Sequence, residues 1–378
     1  MKLVYKILHK DPESRENIIS VTSGLGIAAN LLIAAVKIVI GIISSSIAIA
    51  SEGANNATDA LSSVLSLVGT KIAGKQPDKK HPFGYRRIEY LTGFIIAVLI
   101  LVTGVELLIS SVKLIAEPEE MSVSYSFIII IAFSAVIKYI LGTYTLKMGK
   151  KASSTALEAV GIDSRNDAFS SVISIVSSLV FIIFGLSLDA YAGIIISVLI
   201  LKSGAGVLQE TLSEIIGRPG DKELADKIYS EVRRTDGVLA AADMMLHNYG
   251  PDTWSGSVNI EMDHDRTVGE IYQIIHELQL RIMHEYAVTM VFGIYAVDND
   301  HEDVKAMRIY ISSFVRDYEH AVSFHALYLE PGTDKIYCDI TVDYDLPDRD
   351  DLERKFKEYM AERYPENEIV LTIETDYV

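Results

Sequence analysis

The chain has 378 residues, 49% of them hydrophobic, and a formal charge of −17 at pH 7. Its single cysteine, Cys338, excludes a disulfide framework and a site built from several thiolates. The acidic balance argues against nucleic acid as a partner, since nucleic acid requires basic surfaces.

Charge and hydropathy divide the chain into two halves. Residues 210–378 hold 36 of the 51 acidic and 16 of the 34 basic residues, a net charge of −20, which leaves +3 for residues 1–209. The apolar stretches lie in the first half. This asymmetry indicates lipid as the surroundings of the first half and water as those of the second.

Six apolar stretches in residues 1–208 approach or exceed the length of about 20 helical residues that crosses a bilayer. They are Ile18–Ile43, Ile47–Gly69, Leu91–Ile115, Val123–Leu146, Ser164–Leu186 and Ala190–Val207. The residues before the first stretch are too polar for the core of a signal peptide, so we expect a retained span. Lysine and arginine concentrate before the first stretch, between the second and third, and between the fourth and fifth. This pattern predicts six spans with both termini in the cytoplasm.

Two of these stretches are marked by polar pairs: Asn55 with Asp59 lies inside the second, and Asp163 with Asp167 lies at the start of the fifth, Asp163 directly before its first residue. The i, i+4 spacing places each pair on one face of a helix. A carboxylate at mid-bilayer depth costs roughly 2.5–3.5 kcal/mol, so three of them require a partner, and a cation is the expected one. A helix N-cap or an ion pair with a neighbouring helix stays open for Asp163 and Asp167. Asp59 lies mid-span, where no such structural role is expected.

The ligand types indicate which cation. All nine histidines and the cysteine fall outside the six stretches. Zinc and copper favour imidazole and thiolate, whereas carboxylate and amide oxygens suit magnesium, calcium and manganese. We therefore predict that Asn55, Asp59, Asp163 and Asp167 bind a divalent cation, manganese(II) in particular, with about one excess negative charge. Because such ligands bind metal only when deprotonated, exchange with protons is expected.

After Val207 the pattern becomes that of a soluble α+β protein. The order α-β-β-α-β is predicted for Lys222–Ala296 and again for Glu302–Glu374. Residues 260–265 align with residues 340–345 at an offset of 80. We predict tandem α+β ferredoxin-like cytoplasmic domains, residues 209–297 and 298–378, after the α-helical membrane bundle.

Two further features of the second half are interpreted as structural rather than metal-binding. His247 and His325 are interpreted as side chains at strand ends whose polar atoms are satisfied within the protein, rather than as metal ligands. The acidic surface of residues 298–378 is interpreted as favouring solubility rather than as a dedicated manganese site. Residues 209–297 are expected to form the dimer contact.

Together, the carboxylate pairs in the second and fifth stretches, the segment His81–Glu89 and the cytoplasmic α+β domain resemble the cation diffusion facilitators. The resemblance implies a homodimer that exports divalent metals in exchange for protons. It covers about residues 12–297, and residues 298–378 resemble an added copy of the family's C-terminal domain. Zinc carriers of the family show histidine where this chain has Asp163. The manganese subgroup shows Asn-x-x-x-Asp with Asp-x-x-x-Asp, which this chain matches at all four positions.

Departures from the family's pattern concern its other metal sites. Asp78 and His81 match the family's loop site, but Tyr85 replaces the second histidine, so metal binding there stays open. Typical zinc ligands of the cytoplasmic domain are replaced by Ala242, Asn259 and Tyr272.

We interpret the chain as a manganese(II)/proton antiporter of a prokaryotic plasma membrane, with no cofactor and no enzymatic activity. The nearest alternative is the same transporter carrying iron(II), cobalt(II) or zinc(II). A different alternative is a metal-gated channel or sensor, in which the acidic tail detects cytosolic cations.

Overall fold

The computed structural model describes residues 14–43, 47–117, 125–184, 188–218, 222–251, 253–298 and 301–375. Long helices fill the first half, and they are α1 Arg15–Ile43, α2 Ile47–Ala73, α3 Ile88–Ala116, α4 Tyr125–Lys151, α5 Thr155–Phe184 and α6 Asp189–Ile216. Residues 1–13 lie outside the described residues, and they include three of the lysines whose position predicts a cytoplasmic N-terminus. Residues 123–124 and 185–186 of the predicted stretches also lie outside them.

Five of these helices are long and apolar enough to cross a membrane. The exception is α2, which has 27 residues but carries Asn55, Asn56 and Asp59 among its apolar side chains. The prediction of six spans is therefore supported for five helices. The polar residues that make α2 a candidate for metal binding also lower its mean hydropathy.

The helices of this unit associate in pairs, α1 along α2, α3 along α6 and α4 along α5, and α2 also contacts α5. A core of Ile96, Ile100, Val160 and Ile196 fills the space between α3, α5 and α6. Large apolar side chains remain exposed along the outer faces, as Leu32 and Ile140 illustrate. A helix bundle that is apolar outside suits a hydrocarbon solvent, because every helical backbone group is already hydrogen-bonded.

One buried ion pair joins the starts of α1 and α3. Arg15 Nη2 lies 2.6 Å from Glu89 Oε2, and the Glu89 side chain is fully buried. Arg15 also donates from Nε to the carbonyl of Ala152 at 2.8 Å, in the turn between α4 and α5. Arg15 therefore links the start of α1 to the start of α3 and to the turn between α4 and α5.

The second half contains two α-β-β-α-β copies, as the sequence predicts. The elements of the first copy are α7 Lys222–Arg233, β1 Ala240–Asn248, β2 Trp254–Asp263, α8 Val268–Tyr286 and β3 Val288–Val297. Those of the second copy are α9 Glu302–Asp317, β4 Ala321–Leu329, β5 Lys335–Val342, α10 Arg349–Arg363 and β6 Glu368–Thr375.

Each copy forms a three-stranded sheet, ordered β1-β2-β3 and β4-β5-β6. In both, the middle strand runs antiparallel to the first strand and parallel to the third. The ferredoxin-like motif β-α-β-β-α-β contains one more strand than the described residues of either copy provide. The architecture is thus α+β with small sheets, and the ferredoxin-like assignment stays a prediction.

The chain forms two compact units. One runs to Gly217 and includes Tyr249–Pro251, and the other contains the remaining residues from Arg218 onwards. The predicted boundary at residue 208 falls inside α6, because that helix continues to Ile216. Both α+β copies belong to the second unit. Their division into separate domains stays a prediction.

Candidate metal centre

Three carboxylates meet inside the helical unit. Asp59 on α2 and Asp163 and Asp167 on α5 each offer an oxygen atom, and these three atoms lie within 4.8 Å of one another. The contact between α2 and α5 and the one-turn spacing on α5 produce this convergence. Asn55 lies on α2 one turn before Asp59, but its side chain is outside those that the structure describes. The structure thus brings together three of the four predicted ligands.

The N-cap alternative for Asp163 is wrong. Helix α5 begins at Thr155, more than two turns before Asp163. The predicted stretch began at Ser164 because hydropathy marks bilayer depth rather than helix ends. The preceding residues, Thr155–Ile162, contain alanine, leucine and glutamate, which are good helix formers.

Lys138 on α4 is the functional candidate that sequence reasoning missed. Its Nζ lies 2.6 Å from Asp59 Oδ2 and 2.8 Å from Asp167 Oδ2, and its side chain is 5% exposed. The alternative of an ion pair with a neighbouring helix is therefore realised for Asp167. The expectation that Asp59 has no structural partner is wrong. The available signal was a lysine in the middle of an apolar stretch, which by itself indicates function.

Two glycines allow α4 and α5 to approach closely enough for this contact. A Cβ atom on Gly142 of α4 would lie 2.9 Å from the backbone nitrogen of Arg165. One on Gly161 of α5 would lie 2.5 Å from the backbone nitrogen of Leu146. Small residues at a helix interface let backbones meet in this way within membranes. Lys138, one turn before Gly142, then reaches the α5 carboxylates.

The cluster carries negative charge when its carboxylates are ionised. Three ionised carboxylates and the Lys138 ammonium leave a net charge of −2, and Lys37 on α1 is a second buried cation that acts on Asp59. The predicted excess of one negative charge on a bound divalent ion included neither lysine. The sequences of α1–α6 contain neither histidine nor cysteine, so the side chains available there are oxygen donors.

The loop between α2 and α3 has its polar groups hydrogen-bonded to one another. Tyr85 donates from its hydroxyl to Asp78 Oδ2 at 2.6 Å, and the backbone N–H groups of Lys80 and His81 donate to Asp78 Oδ1. These bonds, that from Tyr85 foremost, hold the pKa of Asp78 below its usual value. His81 Nδ1 lies 2.8 Å from the Tyr85 hydroxyl. Asp78 is therefore satisfied by the loop itself.

Comparisons with known proteins place the helical unit among cation transporters. Residues 24–216 match the family model described as the cation efflux transmembrane domain. The chain is 33% identical over 230 residues to an uncharacterized transporter of Methanocaldococcus jannaschii, covering 60% of this chain and 80% of that protein. It is 28% identical over 268 residues to the manganese efflux system protein MneS of Bacillus subtilis, covering 70% and 90%. It is also 22% identical over 241 residues to a cadmium, cobalt and zinc/H(+)-K(+) antiporter of Bacillus velezensis, covering 63% and 76%.

Proposed function

The chain belongs to the cation efflux family, and on that premise we propose that it exports manganese(II) from the cytosol in exchange for protons. Members of this family are transporters of metal cations rather than enzymes, and the chain is a multi-pass membrane protein. The proposal concerns which metal it carries and how its movement is coupled.

The convergence of Asp59, Asp163 and Asp167 carries the proposal. Three carboxylate oxygens within 4.8 Å of one another form a hard donor set between two helices of the membrane unit. Manganese(II) accepts a shell made only of oxygen and lies at the weak end of the divalent affinity order. A carrier for it gains selectivity by omitting imidazole and thiolate, which bind zinc better. We assign Asn55 as the fourth ligand on its position one turn before Asp59.

Lys138 gives this site a cation of its own. In the structure, its ammonium donates to both Asp59 and Asp167 and offsets part of their charge. A metal ion that binds the same oxygens has to displace the ammonium from at least one of them, since both compete for the same lone pairs. When the metal leaves, the ammonium returns. Lys138 thus lowers metal affinity to a level at which release is possible, and keeps the emptied carboxylates paired inside the membrane.

Proton exchange follows from the chemistry of the ligands. Metal binding requires deprotonated carboxylates, so protons leave as the ion enters the site. Clustered acids titrate together rather than as independent groups. Rocking of helix pairs around the site would expose it alternately to the two sides of the membrane.

The assembly that fits this function has α2 as a sixth span and both termini in the cytoplasm. We propose a homodimer in a prokaryotic plasma membrane, in line with the resemblance to the cation diffusion facilitators and with the prokaryotic relatives. The tandem α+β copies are then cytoplasmic.

The competing function is export of cobalt(II), zinc(II) or iron(II) by the same site. The similarity to a cadmium, cobalt and zinc antiporter supports it, at lower identity than the similarity to a manganese efflux protein. Growth of a bacterial host that lacks its metal exporters separates these functions. We expect the parent chain to restore growth in excess manganese and not in excess zinc, and the Asp59→Asn variant to restore neither. Equal amounts of both proteins in the membrane fraction are the control. Rescue on zinc alone would contradict the assignment of manganese.

A further inference from the structure

A second cluster of metal-ligand types lies between the two α+β copies. Asp243 on β1 of the first copy and His325 on β4 and Glu374 on β6 of the second each offer one ligand atom, and these atoms lie within 4.8 Å of one another. The cluster belongs to the second unit and is separate from the carboxylates of the membrane helices. It consists of one imidazole and two carboxylates.

Matching irregularities in β1 and β4 place the ligands there. The register of β1 shifts between Ala242 and Met245, and that of β4 shifts between His325 and Tyr328. Within the first shift, Asp243 has a φ of 53°, in the left-handed region that residues other than glycine rarely adopt. Bulges of this kind redirect side chains and are common beside functional sites. Strained backbone conformations such as that of Asp243 occur mainly at functional sites.

His325 is a buried imidazole that faces two carboxylates. Its side chain is 2% exposed, and Nδ1 has no hydrogen-bond partner among the residues that the structure describes. Nε2 lies 2.9 Å from Asp243 Oδ2, which is ion-pair distance, and 3.8 Å from Glu374 Oε2. Buried polar groups in native proteins almost always have a partner. One nitrogen and two carboxylate oxygens within 4.8 Å of one another have the arrangement that ligands of a shared cation require. His325 lies in the middle of β4 rather than at a strand end, and the interpretation that its side chain is satisfied without metal stays a prediction.

The carboxylate of Asp243 is oriented by neighbours. Asn259 donates from Nδ2 and Tyr295 donates from its hydroxyl to Asp243 Oδ2, both at 2.9 Å. Hydrogen bonds to metal-binding carboxylates are a regular feature of protein metal sites, because they fix the ligand's orientation. The carboxylates of Glu374 and Asp339 lie near that of Asp243. Negative charge is crowded here, and a cation would relieve it.

The two copies are held together beside the cluster. Glu261 on β2 is almost fully buried, accepts from Arg308 Nη1 at 3.2 Å and accepts from the backbone N–H of Ala326 at 3.2 Å. A cleft of about 910 Å³, lined by Asp243, His325 and Thr341 among others, opens onto the cluster. An ion can therefore reach the cluster, and the two copies that supply its ligands are already in contact.

We propose that Asp243, His325 and Glu374 bind one divalent first-row transition-metal ion between the tandem copies. The second copy then completes, within a single chain, a site that the first copy alone cannot form. Because the donor set includes imidazole, it favours cobalt(II), zinc(II) and iron(II) more strongly than the all-oxygen cluster in the membrane does. The sequence-based view of residues 298–378 as a merely solubilising surface does not account for this cluster.

Cobalt(II) binding to the full-length chain in detergent tests the proposal. The background is the triple variant Asp59→Asn, Asp163→Asn and Asp167→Asn, which removes the membrane cluster and makes the result independent of transport. Equilibrium dialysis with cobalt(II) chloride should give one ion per chain, with visible absorption bands of a nitrogen-containing site. His325→Gln in this background should lower the affinity at least tenfold and remove the bands. His247→Gln, an exposed histidine on β1, is the matched control and should change neither.

Glu374→Gln provides a second test of the site in case His325→Gln does not fold. The Glu374 side chain is 31% exposed, so its replacement disturbs the core less, and it should also weaken cobalt(II) binding at least tenfold. Elution volume and circular dichroism establish that each variant is folded. The proposal is overturned if the triple variant binds no cobalt(II), or if folded His325→Gln or Glu374→Gln binds it with parental affinity.

Discussion

Single side chains decide what the membrane cluster can bind. Asp59, Asp163 and Asp167 supply the negative charge, and Lys138 sets how much of it is left for an ion. Since the lysine contacts two of the three carboxylates, it competes with any metal for their oxygens. In the proposed transport, affinity, selectivity and release therefore depend on these charged groups.

Removing the lysine's charge should tighten metal binding. In Lys138→Gln the competing ammonium is lost, and we expect the dissociation constant for manganese(II) to fall about tenfold, which corresponds to about 1.4 kcal/mol. Release becomes slower for the same reason, so the transport rate should fall. Isothermal titration of the purified protein and vesicle flux measure the two effects. Lys202→Gln, an exposed lysine on α6, is the control, and unchanged or weaker binding in Lys138→Gln contradicts the competition.

Replacing one oxygen ligand by nitrogen should change selectivity. Asp163→His places an imidazole in the cluster, which zinc favours over manganese. We expect the ratio of zinc to manganese transport in a competition assay to rise about tenfold or more. Asp163→Asn removes the same charge without adding an imidazole nitrogen, so it should leave that ratio low. An equal ratio in the two variants would refute the argument from ligand softness.

The residue-scale predictions from sequence succeeded where helical spacing was sufficient. Asp163 and Asp167 share a face of α5 because of their i, i+4 spacing, and their meeting with Asp59 required only that α2 contact α5. Lys138 could not be assigned in the same way, since its role depends on which helix α4 packs against. The contact between His325 and Asp243 could not be predicted, because the two residues are distant in sequence and are brought together by the packing of the two copies.

At the scale of elements, the helical bundle depends on polar contacts at its ends. The pair of Arg15 and Glu89 joins α1 to α3, and the Glu89 side chain is fully buried. A buried carboxylate that loses its partner is left uncompensated, which costs roughly 3–5 kcal/mol in known cases. This pair is therefore a sensitive point of the fold.

Arg15→Met should lower the thermal unfolding temperature of the detergent-solubilised protein by several degrees. Lys357→Met is the matched control, because Lys357 forms an exposed pair with Glu353 on α10, and such pairs contribute little. Fluorescence-detected thermal unfolding compares the two variants. A shift in Arg15→Met no larger than in Lys357→Met would show that the buried pair does not hold the bundle.

Elements were predicted well where local pattern determines them. The α-β-β-α-β order of both copies appears in the structure, because alternating and helical periodicities differ clearly in soluble segments. Helix ends in the apolar half were predicted less well. Helix α5 extends to Thr155 and α6 to Ile216, beyond the apolar stretches that marked them.

At the scale of the whole molecule, two metal-ligating clusters with different chemistry lie in two separate units. The membrane cluster offers carboxylates alone, and the cluster between the α+β copies adds an imidazole. If both clusters bind ions as proposed, this difference allows the transported ion and the ion in the α+β unit to be different metals. The second copy, whose role the sequence left open, supplies His325 and Glu374 to the latter cluster.

Coupled flux in proteoliposomes tests the central claim most directly. Purified protein is reconstituted with a pH-sensitive dye inside the vesicles, and manganese(II) is added outside. The account predicts manganese entry together with alkalinisation of the lumen as protons leave, with both signals abolished in Asp59→Asn and Asp167→Asn. Manganese entry with no change of lumenal pH in electrically clamped vesicles, or parental flux in both variants, would contradict it.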